Sequence, residues 1–281
     1  MRSKATAPFC VLGAAVLLFS GVSADARPRV KTPTLSARSA VILDAGNGGV
    51  LFSKNPHLRL PPASTTKVMT AILAMERFPF NQDIRIGANA AAAAPSKAGL
   101  TPGARYKVRD LVAAALISSS NDAAVALAEA MAGSEDAFVG LMNEKAAKLG
   151  MQNTKFVNAT GLTDKRHAQY STANDLAVLM RVASADKTID RILGVTTSVI
   201  VGSDRKPIFL RNHNKMLWRT PKSVKGKTGW TTTSLHTFIG TDYAPGKKII
   251  FAMLYSKKPW ADIENLAAFG RRLEGRRSLN V

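Results

Sequence analysis

The sequence predicts an α+β fold in which one antiparallel sheet is built from strands near both ends of the chain, with a helical lobe inserted between them. Three observations carry this expectation. The stretch "SAVILDAGNGGVLFSKN" is two apolar runs around a Gly/Asn turn at Ala45–Gly49, a hairpin pattern. The middle of the chain repeats apolar residues at helical spacing and punctuates them with glycine. Strand signals return late, in "LHTFIGTDY" and "KKIIFAMLYS", separated by Pro245-Gly246. Strands at both ends with helices between them suggest a sheet closed by the two termini.

Taken in order, the chain begins with Arg2 and Lys4, the apolar run "PFCVLGAAVLLFSGVSA" and the small-residue pattern Ala24-Asp25-Ala26. This is the layout of a secretory signal peptide over residues 1–26, cleaved after Ala26; an uncleaved membrane anchor is the alternative. The only cysteine, Cys10, lies in that segment, so the processed chain is expected to hold no disulfide and no cysteine metal site. Cys10 also lacks the small-residue pattern that precedes a lipid-modified cysteine. Residues 27–37, "RPRVKTPTLSA", read as a linker. A single domain is expected over 38–278, with the helical lobe at about 76–200. A helix opens at Ser64 in "PPASTTKVMTAILAME". Helical signals follow at Ala88–Ala94, in "VRDLVAAALIS", in a segment stopping at Gly133 and in another stopping at Gly150. A closing helix from Ala261 puts Ile263, Leu266, Phe269 and Leu273 on one face.

A net charge of +20 on 281 residues favours polyanionic partners. An export signal carries the chain away from nucleic acid, and aromatics make up only 6% with no aromatic-basic interleaving. Contact with wall polymer or an anionic membrane therefore replaces nucleic acid as the expected use of that charge, beside the simpler reading of a solvated surface.

The chemistry is carried by three short motifs. Ser64 and Lys67 are three residues apart and share a helix face, so the amine can reach the hydroxyl. A serine needs a base beside it, and a lysine serves when burial or a second cation lowers its pKa. The plain alternative is a serine that only caps the helix. Further on come Ser119-Ser120-Asn121 at a helix–helix junction and Lys227-Thr228-Gly229 just before the late strands. Together, in this order, they form the joint signature of penicillin-binding proteins and class A β-lactamases.

On these motifs, and on "ILDAGNGGVLFSKN", "NATGL", "YSTANDLAVLM", "NHNKML" and "KGKTGWT", the chain resembles the D-alanyl-D-alanine carboxypeptidases among the low-molecular-weight penicillin-binding proteins, over roughly Ala37 to Gly270. The resemblance implies a β-lactamase/transpeptidase-like fold: a five-stranded antiparallel sheet flanked by helices, with an inserted all-helical lobe. It also implies roles. Ser64 attacks the carbonyl of the penultimate D-alanine, Lys67 takes its proton and Ser119 relays a proton to the departing D-alanine. Asn121 holds the substrate amide and helps position Lys67. Lys227 keeps the site electropositive, Thr228 binds the terminal carboxylate, and Gly229 and Trp230 line the substrate strand. Backbone N–H groups of Ser64 and Trp230 form the oxyanion hole. The implied substrate is a peptidoglycan pentapeptide ending in D-Ala-D-Ala, with β-lactams as covalent inhibitors and no metal or organic cofactor.

Competing readings are narrower. A class A β-lactamase uses a glutamate for deacylation, and this sequence has none between Glu144 and Glu264. A D,D-endopeptidase shares all three motifs, and so remains open. The chain runs only about fifty residues beyond Lys-Thr-Gly, so a second β-rich domain and terminal anchor are not expected. A basic, non-catalytic wall binder is the alternative of another class, and it leaves the motif set unexplained. Where the family often continues with a small residue and glycine, this chain has Ser234-Leu235-His236. His57, His167, His213 and His236 lack metal-ligand spacing and default to structural or surface roles, with ligand contact the alternative for His236, while Asn212 and Asn214 are expected to brace the site. Lys257 and Lys258, and Arg271, Arg272, Arg276 and Arg277, read as solvated surface; a carboxylate-binding cation and a polyanion contact are the respective alternatives.

Overall fold

Strand β1 (Ser39–Asp44, "SAVILD") is buried at all six positions, the signature of a strand covered on both faces. Its neighbours explain why. In this computed structural model, which describes residues 31–163, 168–219, 224–244 and 247–278, β1 pairs on one side with β2 (Val50–Lys54). The signal-peptide segment, His167 and the Pro245-Gly246 turn lie outside the described residues.

The chain then makes a 3₁₀ turn at Ala63–Thr66 and enters α1 (Lys67–Arg77), β3 (Asp83–Arg85), α2 (Ala88–Ala92) and β4 (Arg105–Lys107). Helices α3 (Val108–Ile117), α4 (Asn121–Ala132), α5 (Glu135–Lys148), α6 (Ala173–Ala185) and α7 (Lys187–Leu193) follow. A hairpin of β5 (Thr197–Val201) and β6 (Pro207–Arg211) leads through the short α8 (Met216–Arg219) to β7 (Lys225–Thr231). Strands β8 (Leu235–Ala244) and β9 (Lys247–Ser256) and helix α9 (Pro259–Ser278) complete the fold.

The main sheet runs β2-β1-β9-β8-β7, antiparallel throughout. The N-terminal β1 lies against the near-C-terminal β9, as the sequence pattern predicts. Val41, Leu43, Ile239 and Ile250 face the core shared with helices α1, α3, α4 and α6. On the other face α9 packs down: Phe269 meets Phe52 edge-on at 5.4 Å, and Gly270 brings the helix against Ile249. In the helical lobe the contact positions are small, with Ala114, Ala115, Ala123, Ala124 and Ala128 fully buried, which lets helix axes approach closely.

The structure departs from the sequence expectation in four places. The inserted segment carries the two-stranded pair β3–β4 besides its helices. Lys-Thr-Gly lies inside an edge strand, and not ahead of the strands; Gly226 and Gly240 sit opposite each other there and make room for the Phe238 ring, which a Cβ at either position would meet within 2.6 Å. Ser64 belongs to the 3₁₀ turn and caps nothing, so the α-helix proper starts at Lys67. Helix α9 begins at Pro259, two residues early, because proline suits the first helical turn. Helices α4 and α5 do stop at glycines, Gly133 and Gly150, both at positive φ. Among the described residues no helix is long and apolar enough to cross a membrane.

Residues from Thr32 onward form one compact unit. Its N-terminal segment is tied in by the buried Asp262 of α9, whose carboxylate accepts from the Ser36 and Ala37 N–H groups and from the Ser36 and Ser256 hydroxyls at 2.6–2.8 Å. Asp262→Ala strands four donors at the sheet–helix junction, so we expect a loss of about 3 kcal/mol in urea unfolding; a loss below about 1 kcal/mol would show the segment to be held by packing alone.

Candidate active site

The 3₁₀ turn carrying Ser64 is wedged between two backbones. A Cβ on Gly229 of β7 would lie 2.8 Å from the Ser64 nitrogen, and one on Gly161 would lie 1.8 Å from the Ala63 carbonyl oxygen. Only glycine permits approach this close, and Gly161 also sits at φ +85°. The turn is tied further by the Thr237 hydroxyl donating to the Pro62 carbonyl at 2.9 Å. Ala63 is driven to φ 49°, in the left-handed region that costs a non-glycine residue.

From the first turn of α1, Lys67 donates to the Ser64 hydroxyl at 3.0 Å and to the Thr160 carbonyl at 2.7 Å. Its side chain is fully buried. Burial, then the nearby Lys227 charge, hold its pKa well below the ordinary lysine value; Asp122 and Glu135 pull the other way. A base of lowered pKa thus faces the hydroxyl it would deprotonate.

Across the cleft, Lys227 donates to the Ser119 hydroxyl at 2.9 Å and to the Thr228 carbonyl at 2.8 Å. Burial brings its pKa down to about 7. Ser119 occupies the α3–α4 junction at φ 59°, a strained conformation fixed by its neighbours: the Ser118 hydroxyl bonds to the Ala114 carbonyl and to Ser120, and the Ser120 N–H also reaches Ala114.

Asn121 starts α4. Its amide nitrogen donates to the Ala94 carbonyl at 3.2 Å, while its Oδ1 is buried with no hydrogen-bond partner among the described residues. The Lys67 amine bonds to the Ser64 hydroxyl and the Thr160 carbonyl, and the Asn121 amide bonds to Ala94 instead. Asp122 beside it accepts from the N–H groups of Ala98, Gly99 and Leu100, which fastens the 94–100 loop to α4.

Three contributors escaped the sequence reading: Thr160, Asp122 and Glu135. The Asn158 carboxamide accepts from Thr160 N, Thr160 Oγ1 and Gly161 N, and the Glu135 carboxylate accepts from Ala159 N at 2.8 Å. These bonds aim the Thr160 carbonyl at Lys67. Burial raises the Glu135 pKa. The available signal was "NATGL", since Asn with Gly three residues on marks such a turn.

Ser64, Ser119, Asn121, Thr228, Gly229 and Trp230 all line one cavity of about 750 Å³, with the two lysine amines behind its wall. The cavity extends past His213 and His236 to Trp260 and Ile263 of α9. Burial lowers the pKa of both histidines; Lys227 and Lys67 add to the effect at His213, and Lys215 at His236. Asn212 and Asn214 brace the approach to β7, donating to the Val195 and Val224 carbonyls at 2.8 Å. Lys257 and Lys258 are exposed and off the cavity wall.

The Ser64–Lys67 pair and the Ser119–Lys227 contact face each other at the edge of the five-stranded antiparallel sheet, in a fold of the penicillin-binding class. The profile of the D-alanyl-D-alanine carboxypeptidase peptidases matches residues 26–257, and the chain belongs to that family. It is 37% identical over 200 residues to carboxypeptidase DacF of Bacillus subtilis (69% of this chain, 51% of the relative). It is 33% identical to DacB2 of Mycobacterium tuberculosis (83% and 80%), and 33% identical to a D-alanyl-D-alanine endopeptidase of Pseudomonas aeruginosa (78% and 72%). The chain thus spans about half the length of the Bacillus relative and four fifths of the mycobacterial one. Among solved structures, a D-alanyl-D-alanine carboxypeptidase of M. tuberculosis superposes with TM-score 0.79 at 31% identity, covering 88% of this chain and 94% of that one. A Streptomyces DD-transpeptidase gives 0.78 at 26%, covering 88% and 100%.

The Lys227 amine also sets a pH dependence of stability. In the unfolded chain it keeps its proton up to about 10.5; in the fold it does so only to about 7. Between these values unfolding takes up a proton, so its contribution stabilises the fold as pH rises; below 7 the fold carries the full cost of a buried cation. Lys227→Met removes this, and its stability relative to wild type should fall by up to about 1.4 kcal/mol per pH unit from pH 7 to 10. Urea unfolding of both proteins across that range provides the check, and parallel profiles would contradict the buried amine's role.

Proposed function

We propose that this chain is an exported serine-type D-Ala-D-Ala carboxypeptidase that trims peptidoglycan stem peptides in the extracytoplasmic wall space. The observation that carries the reading is the 3.0 Å contact of the Ser64 hydroxyl with the buried Lys67 amine at the base of the cavity. Neutral Lys67 takes the hydroxyl proton as Ser64 Oγ bonds to the carbonyl carbon of the penultimate D-alanine. The backbone N–H groups of Ser64 and Trp230 receive the oxyanion. The C–N bond then breaks, and Ser119, bonded to Lys227, passes a proton to the departing amine. Water then attacks the ester on Ser64, its proton restores the Ser119–Lys227 pair, Lys67 returns its proton to the Ser64 oxygen as the ester C–O bond breaks, and the shortened peptide leaves. Asn121 Oδ1, buried without a partner among the described residues, suits a substrate N–H, and Thr228 on the wall suits the terminal carboxylate.

A β-lactam enters the same path: Ser64 opens the ring, and the product, still tethered through its acyl group, leaves slowly. A D,D-endopeptidase acting on cross-links is the second reading, favoured by the likeness to the Pseudomonas enzyme. Uncross-linked pentapeptide and cross-linked dimer, offered separately, distinguish the two.

The first test is intact-mass analysis after exposure to benzylpenicillin, beside Ser64→Ala. We expect one covalent adduct on wild type and none on the variant, with acylation slowed at least about a hundredfold in Lys67→Ala. Folded wild-type protein that takes no adduct would overturn the acyl-enzyme mechanism and favour a non-catalytic wall binder.

A further inference from the structure

The hairpin β5–β6 is built with two different faces. Cross-strand pairing sets Val199 opposite Phe209 and Val201 opposite Pro207. These four point outward, while Ile200 and Leu210 turn into the core at 2% and 1% exposure. The outer positions are open to an unusual degree: Phe209 is 79% exposed, and Val199 and Val201 51% each. Trp218 of α8 adds a further exposed ring, 47% open.

Cations frame this apolar strip. Arg205 and Lys206 lie exposed at the hairpin tip, and Arg211, at the other end, stands over the Trp218 ring at 5.0 Å. Lys215 is exposed on the following segment, and Arg219, also exposed, pairs with Glu264 of α9 at 3.1 Å. Between Asp190 and Asp242 the sequence holds a single acid, Asp204. Its carboxylate is engaged by the Thr101 hydroxyl at 2.6 Å and by the Lys206 N–H.

The surface is also preformed. Ser203 N donates to the Arg105 carbonyl at 2.9 Å, and Arg105 N returns a bond to the Ser203 hydroxyl. The Trp218 indole is fixed by a 3.2 Å bond to the Asn212 carbonyl. Little ordering is therefore needed when something covers this face.

We infer that the outer face of the β5–β6 hairpin, with Trp218, docks on an anionic lipid bilayer. A soluble polyanion matches the cations but gains nothing from Phe209, Val199 and Val201. A second copy of this chain matches the apolar strip but brings its own cations and a net charge of +20. A bilayer of anionic lipid matches both: aromatic rings settle at headgroup depth, and Arg and Lys meet the phosphates. The inference is independent of the acyl-transfer reading, because none of these side chains lines the catalytic cavity.

The test is co-sedimentation of the exported chain with vesicles of equimolar phosphatidylglycerol and phosphatidylcholine at physiological salt, beside Phe209→Ser/Val199→Thr. We expect wild type to bind these vesicles and not pure phosphatidylcholine, and the double variant to lose about tenfold in partition coefficient. Its melting temperature should stay unchanged, since both side chains are exposed. Equal binding by variant and wild type would assign the attraction to diffuse charge and overturn the docking surface. So would a wild-type dimer in vesicle-free sedimentation velocity that the variant converts to monomer, because the strip would then be a self-contact.

Discussion

The structure depends on keeping one amine dry. Lys67 is wholly enclosed, and an enclosed ammonium is costly unless it is neutralised or well solvated by protein groups. Here a carbonyl from one loop and a hydroxyl from the preceding turn supply the partners, and no carboxylate among the described residues bonds to it. That choice matters chemically. A carboxylate in contact would hold the proton on the lysine, whereas burial and a second buried amine favour the free base. The Asn158 turn, the Glu135 bond to the same loop and the packing of α1 against α3 and α4 all serve to hold this arrangement.

The second constraint is steric. Ser64 is held by main chain approaching from two sides, with Gly161 and Gly229 as the points of passage. Ala63 and Ser119 both adopt left-handed backbone conformations on either side of the cleft. Strain of this kind persists only where the surroundings over-determine it, and both residues adjoin or belong to the reacting constellation. The turn that carries Ser64 and the helical lobe therefore each place one strained residue at the cleft.

Much of this was legible in the sequence. Ser64 with Lys67, Ser119 with Asn121, and Lys227 through Trp230 are compact motifs whose spacing encodes local geometry, and the structure brings all of them to one cleft. The closing of the sheet by both termini was equally readable, because β1 and β9 are uninterrupted apolar runs. What escaped has a common cause. Thr160 acts through its carbonyl, which is the same in every residue type, so no side-chain pattern could mark it. Asp122 bonds to backbone N–H groups of a distant loop, and Glu135 does the same. The strand character of "KGKTGWT" was hidden because its glycines suppress the usual β signal, and the reason for them lies in a ring on the neighbouring strand.

One consequence of the Lys227 environment extends beyond stability. Any anion seated beside Thr228 places negative charge next to an amine poised at about 7, and so raises its affinity for a proton. Binding of such a ligand near neutrality is then coupled to proton uptake from solution. The heat of association will differ between buffers by an amount set by each buffer's own ionisation enthalpy, and affinity for anions will weaken as the medium turns alkaline.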